Sequence, residues 1–387
     1  MILTNCAACA APLGFALGKK CSRCSTRYCG PACQTQHWKE GGHDKLCKRI
    51  KRAGGAEQYH AGNKYAEAVA VAAEACAEDT KDQTCYICTE AVHWKTKEGL
   101  VRMCACRGTA GFAHVSCLAE QAKILVAEAE ENNLGAKALN GRWLRWSTCG
   151  LCEQDYHGVV FCALGWACWK TYLGRPETHW ARQFAMNMLG LGLYDAHRYE
   201  DALSVREVEL SMLQRNGASE EELLPTESNL AISYQSLGWV EEALEMRQKC
   251  YAGYLKYFGE QDPKTIVETN TYAGALQDLN RLKEAKTLLR KAVPVARRVL
   301  GESNDLVIIM RNNYAKMLYA DDRATLDDLH EAVKLLEDLK PFARRVLGGA
   351  HPLVANTEHD LKWAREALSA RQAPHRQAPL RQSTRSN

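Results

Sequence analysis

The sequence predicts a mainly α-helical protein in which two small cysteine-rich modules precede a stack of helical pairs. Three observations carry that reading. Fourteen of the eighteen cysteines fall in two short segments, seven within residues 1–47 and seven within 85–152. An alanine-rich run without proline, EQYHAGNKYAEAVAVAAEACAED (57–79), lies between them and has high helix propensity. From about residue 179 cysteine thins out, and small residues recur every 41 or 42 positions.

Composition bounds the function. The 387 residues are 46% apolar and 25% charged, which is ordinary soluble material with room for two or three compact units. A net charge of +4 gives no argument for specific nucleic-acid binding. No membrane span is expected: the most apolar stretch, GVVFCALGWACW (158–169), is short and ends at Lys170. The N-terminus has no leading basic region and reaches a cysteine pair by Cys9, so it does not read as a signal peptide. An intracellular protein, cytoplasmic or nuclear, is expected. No Ser/His/Asp constellation or phosphate-cradling glycine loop supports a hydrolase or nucleotide-binding enzyme.

The first module (1–50) reads C-x2-C-x11-C-x2-C-x4-C-x3-C-x9-H-x3-C, through Cys6, Cys9, Cys21, Cys24, Cys29, Cys33, His43 and Cys47. Close pairs of cysteines with histidines nearby, in a chain with no export mark, point to zinc rather than disulfides. Eight soft ligands make two tetrahedral sites. A peptide this short cannot bury a sufficient core, so metal binding would supply most of its folding free energy. His43 and Cys47 are four apart and share one face of a helical turn. His37 is the rival ligand. The order, with Tyr28-Cys29, Cys33-Gln34 and His37-Trp38, resembles the MYND zinc finger. The resemblance implies interleaved pairs: Cys6, Cys9, Cys29 and Cys33 on one ion, and Cys21, Cys24, His43 and Cys47 on the other. It also implies a docking module for proline-containing peptides of partner proteins, or else a finger that only caps the fold.

Residues 51–84 read as a helical spacer, with Cys76 a buried small side chain. The second module (85–157) reads C-x2-C-x15-C-x-C-x7-H-x2-C-x31-C-x2-C, through Cys85, Cys88, Cys104, Cys106, His114, Cys117, Cys149 and Cys152. Again eight ligands make two zinc sites, four ions in all. PHD fingers share the order but leave fewer residues before the histidine and more within the second pair. The single residue between Cys104 and Cys106, the seven before His114, CRG (106–108) and CL (117–118) resemble the RING-CH, or variant RING, finger. That resemblance implies cross-bracing: Cys85, Cys88, His114 and Cys117 on one ion, and Cys104, Cys106, Cys149 and Cys152 on the other. It further implies recruitment of a ubiquitin-conjugating enzyme, with Ile87 as the apolar contact and support from Trp143 and Trp146. Three features depart from the pattern. The loop before Cys149 is long, Gln121 stands where a tryptophan is often found, and Glu153 and Gln154 replace the basic residue after the last cysteine.

The helical array (158–368) shows its period at Gly190, Ala231, Ala273 and Ala315. A second small residue follows twelve positions later at Ala202, Ala243 and Ala285, and five residues late at Ala332, after an insertion around RATLD (323–327). That spacing lets two antiparallel helices approach closely. Cys250 falls at a packing position. Residues 160–178 read as a degenerate half repeat, and VANTEHDLKWAREAL (354–368) as a capping helix. The pattern resembles the tetratricopeptide repeat in the long form of kinesin light chains, an α-solenoid. The resemblance implies that extended peptides bind through asparagines of the first helix: Asn187, Asn229, Asn270 and Asn312, with Asn313 beside them. The same asparagines could instead pair within the array. Arg206 and Arg247 read as parts of a solvated charged face or as readers of acidic side chains. The basic tail (369–387) reads as disordered.

The architecture expected is therefore two cross-braced zinc fingers followed by a tetratricopeptide-type α-solenoid. The function expected is a zinc-binding protein-interaction protein that takes proteins or extended peptides as partners. Two forms of it stand open: a soluble RING-type ubiquitin ligase, or a non-enzymatic adaptor with an inert second finger. A SET-type methyltransferase, another setting for MYND fingers, has no room in the chain.

Overall fold

A computed structural model describes residues 6–11, 13, 18–348 and 351–372. By packing, the chain divides into two compact units, Met1–Gly238 and Trp239–Asn387. The division falls in the turn within one helical pair, not at the edge of a sequence-defined module.

The first unit opens with a two-stranded antiparallel ribbon, β1 (Lys19–Lys20) and β2 (Arg27–Tyr28), with Lys19 opposite Tyr28. Two short helices follow. The first is α1 (Pro31–Lys39), started by a proline whose missing N–H costs nothing there. The second is α2 (His43–Arg52), which buries His43, Cys47 and Ile50 on one face. Tyr28, Ile50 and Ala56 pack with four of the cysteines in a small separate core. A core that size is a weak source of stability by itself.

Next comes α3 (Ala56–Ala75), and then the second cysteine-rich segment, which is mostly loop. It contains α4 (Val115–Glu131), α5 (Ala136–Trp143) and a 3-10 turn, Leu144–Trp146. The long loop before Cys149 is thus largely helical. Four further helices complete the unit: α6 (Gly158–Tyr172), α7 (Trp180–Asp195), α8 (Tyr199–Arg215) and α9 (Glu220–Ser236).

The apolar stretch noted in the sequence is α6, and it is buried on every side because α3, α4 and α7 all pack on it. A helix without a polar face has no other stable place in water. One continuous core runs from Ala61 and Val69 of α3, through Phe112, Trp146 and Cys149, to Trp166 and Leu189. The spacer and the half repeat are therefore walls of a core that the second finger shares. Trp146 and Trp143 lie inside it, with ring centres 5.9 Å and 5.2 Å from that of Tyr172. They are core residues, which corrects the expectation that they support a surface contact.

The second unit comprises α10 (Val240–Phe258), α11 (Pro263–Asp278), α12 (Leu282–Leu300), α13 (Asp305–Tyr319), α14 (Leu326–Leu347) and α15 (Pro352–Gln372). Consecutive helices pack as antiparallel neighbours around Ala273, Ala285, Ala315 and Ala332, all buried as their period requires. The inserted stretch at 323–327 forms a capping box: Thr325 and Asp328 satisfy each other's backbone N–H groups. Cys250 is buried, as a packing position should be. The last helix runs on to Gln372, so the first four residues of the expected disordered tail are helical; the rest of the tail lies outside the described residues.

Candidate zinc centres and an adjoining groove

The structure brings the sixteen cysteine and histidine candidates together in four groups of four. They are Cys6, Cys9, Cys29 and Cys33; Cys21, Cys24, His43 and Cys47; Cys85, Cys88, His114 and Cys117; and Cys104, Cys106, Cys149 and Cys152. Within each group the four donor atoms lie within 4.8 Å of one another. The interleaving matches what the two finger resemblances imply.

The spacing suits zinc. A tetrahedron with Zn–S bonds of about 2.3 Å has S···S edges of roughly 3.8 Å. The observed Sγ separations are 3.4 Å for Cys9–Cys29, 3.9 Å for Cys21–Cys47 and 3.7 Å for Cys106–Cys149. His43 turns Nε2 toward Cys24 at 3.4 Å, and His114 turns Nδ1 toward Cys88 at 3.3 Å. Burial lowers the pKa of both imidazoles, which keeps them in the neutral form that ligates metal. The tight turns of the cysteine pairs aim backbone N–H groups at sulfur: Ile87 and Cys88 donate to the Cys85 Sγ, and Leu151 donates to that of Cys149. Such donors favour thiolate. Burial opposes ionisation of Cys6, but N–H groups of Cys9, Cys29 and Ala8 outweigh it and bring that thiol down to about 6. Elsewhere in the groups the balance reverses. Burial and neighbouring thiols push Cys47 and Cys106 up to about 11. Four crowded thiols resist ionising until a dication joins them, and these four clusters could each hold one zinc ion.

His37, the rival ligand, stands outside the group. Its Nδ1 hydrogen-bonds the Tyr28 hydroxyl at 3.0 Å, and its ring packs 5.1 Å from that of His43. It braces the ligand from behind.

Ile87 is 37% exposed and lines a groove of about 1140 Å³ against the third cluster. Trp94, 68% exposed, and Ile124 of α4 share that lining, with Gln121 between them. The opposite wall comes from Tyr65 of α3 and Lys170 of α6, with the Lys170 ammonium 4.7 Å from the Tyr65 ring centre. The sequence reading missed Trp94 and Ile124. An aromatic in a loop outside any helical period was the available signal.

The asparagines divide. Asn313 donates to Asn270 at 3.0 Å, and Asn312 donates to the Asp360 carboxylate, so these pair within the second unit. Asn187 lies beside Glu209 and favours its charged form, and the backbone carbonyl of Asn229 accepts from Arg206 at 2.6 Å. Arg206 and Arg247 are fully buried, which overturns the solvated-face reading. Arg206 also donates to the Ser233 hydroxyl, and Arg247 forms a buried ion pair with Glu268 at 3.1 Å.

Three families match segments of the chain: MYND finger over residues 6–47, RING-variant domain over 85–133, and tetratricopeptide repeat over 222–297. The second match stops short of Cys149 and Cys152, beyond the helical insertion that contains α5. Similar solved structures include the nearly identical TPR-like repeats of a kinesin-light-chain-type protein from Podosopora anserina. It is 23% identical, covers 50% of this chain and 90% of its own, and has a TM-score of 0.44. BtubC (BKLC) from P. vanneervenii is 15% identical over 70% of this chain and 98% of its own, with a TM-score of 0.36. No curated protein matches. Among the described residues no helix is long and apolar enough to cross a membrane. The chain thus carries, in order, a MYND finger, a RING-variant domain and tetratricopeptide repeats, the parts of a multidomain protein-interaction protein.

Proposed function

We propose that the chain is a RING-type ubiquitin ligase whose first finger and repeats select protein partners, and that the sixteen clustered residues hold four structural zinc ions. The observation that carries this reading is the groove beside the third cluster. Ile87, Trp94 and Ile124 leave apolar surface in water next to a rigid, cross-braced loop, and exposed apolar surface rimmed by polar groups marks a docking site. Four protein donors close each zinc site, so zinc supplies rigidity rather than chemistry. The residues of the groove would hold a charged conjugating enzyme in one orientation, and the rate gain would come from positioning.

The test is autoubiquitination by the zinc-loaded chain with a panel of conjugating enzymes. Chains should form with the natural protein and disappear in Ile87→Ala and Trp94→Ala variants that keep four zinc ions. Activity that persists in both variants would exclude this groove, and silence across the panel would favour the adaptor reading. One observation stands on the adaptor's side: Glu153 and Gln154, not a cation, follow the last cysteine.

A further inference from the structure

The charge of the first unit is divided along the chain. Residues 1–55 hold ten lysines and arginines against two acids, a balance of +8, while residues 56–238 hold sixteen against twenty-four, a balance of −8. Zinc shifts both segments equally and leaves the contrast intact. Seven thiolates and two Zn2+ leave the first segment at +5, and the same addition takes the second to −11. Within the first unit the basic charge is thus concentrated in its first 55 residues.

Much of that charge stands on one helix. Lys45, Lys48, Arg49 and Arg52 of α2 lie at i, i+3, i+4 and i+7, directly opposite the buried face of His43, Cys47 and Ile50. All four are exposed, and Lys51 is exposed beside them. Among the described residues none makes an ion pair within 4.0 Å, whereas cations elsewhere are commonly paired, as Arg102 is with Asp79 and Lys286 with Asp328.

Helix electrostatics account for part of this stripe only. Arg49, Lys51 and Arg52 lie in the last turn, where the macrodipole favours cations. Lys45 is the third residue of the helix, where the dipole disfavours one. Five like-charged pairs at i,i+3 or i,i+4 destabilise the helix further. The candidate zinc ligands His43 and Cys47 on its buried face would hold the helix in place regardless.

We infer that the outward face of α2 is an electrostatic docking surface for a short acidic segment of a partner protein. Complementary charge selects the partner's sign. Length selects its class. The stripe spans about 10 Å by helical rise, enough for a few carboxylates. A nucleic acid long enough to bind well would extend beyond it, and the remainder of the unit is strongly acidic and would repel the phosphates. The site stands whether or not the second finger acts as a ligase.

The test is fluorescence anisotropy of a short poly-glutamate peptide with the full zinc-loaded chain, beside a thymidine oligonucleotide of similar charge. Peptide binding should weaken about tenfold as salt rises from about 0.1 to 0.5 M. Reversal by K48E with R49E should weaken it by about tenfold or more, and neutralisation by K48Q with R49Q by less. Reversal of an exposed cation on another element, K137E, should leave it unchanged. Zinc content read on every variant separates lost binding from a lost fold. Absence of peptide binding, or binding indifferent to the reversal, overturns the inference. Tighter binding of the oligonucleotide through the same two residues overturns it in favour of nucleic acid.

Discussion

Arg247 and Glu268 show how a residue's role depends on what surrounds it. In the sequence Arg247 recurs four positions after a small residue, as Arg206 does, and a charged recurrence on a helix reads as solvated surface. Burial of both partners makes it an internal tie between α10 and α11. Arg247→Ala would remove the guanidinium 3.1 Å from the buried Glu268 carboxylate and should cost about 3–5 kcal/mol in a denaturant titration. Replacing both partners by apolar residues of similar volume should cost far less. Glu209 gives a second prediction. Burial pushes its carboxyl up to about 8 despite Arg206 and Asn187, and one of its oxygens lacks a hydrogen bond. Its folded pKa exceeds its unfolded one, so its contribution is complete below the unfolded value and lost as pH rises toward 8. The difference in unfolding midpoint between the natural protein and Glu209→Gln should therefore change steadily between about pH 4.5 and 8 and level off above that, in favour of the variant at the alkaline end. The ligand cysteines were legible at this scale because their spacing is itself the chemistry. The buried arginines were not, because periodicity locates a side chain on a helix but does not say which neighbour will cover it.

At the scale of elements, the close contact of α6 with α7 decides the packing. A Cβ on Gly192 would sit 2.8 Å from the Phe161 carbonyl, and one on Gly165 would sit 3.0 Å from that of Met188. Both obstacles are backbone and cannot turn away. Gly192→Ala should therefore destabilise the first unit by about 1–3 kcal/mol. Gly190→Ala should be tolerated, because its new methyl meets only side-chain atoms of Val205 and Arg206 at 3.5 Å or more. Thermal unfolding of the two variants checks the contrast. The sequence singled out Gly190 because it keeps the 42-residue period. The tighter position lies two residues on and repeats nowhere, since its partner is a helix outside the repeat. Pattern finds what recurs, and α6 occurs once.

At the scale of the molecule, the two units differ in what holds them. All four zinc clusters identified among the described residues belong to the first unit, while the second is built on repeated apolar contacts with buried polar ties such as Arg247–Glu268. A strong chelator should abolish hydrogen-exchange protection in α2 and α4 and leave α11 to α14 protected. Equal loss in both units would show that the repeats depend on the fingers. Order and kind of module were readable from the sequence, since each has its own spacing. The true edges were not, because they depend on which surfaces bury which, and the second finger shares one core with α3 before it and α6 after it.

That shared core bears on the protein's ancestry. A finger strung between linkers can be copied into a new gene and fold there, whereas this one would carry away Trp146 and Val126 with nothing to cover them. Recombination at its sequence edges would thus yield an aggregating fragment, and the finger is inheritable only together with α3 and α6. Descendants of this chain should show those two helices travelling with the finger wherever it goes.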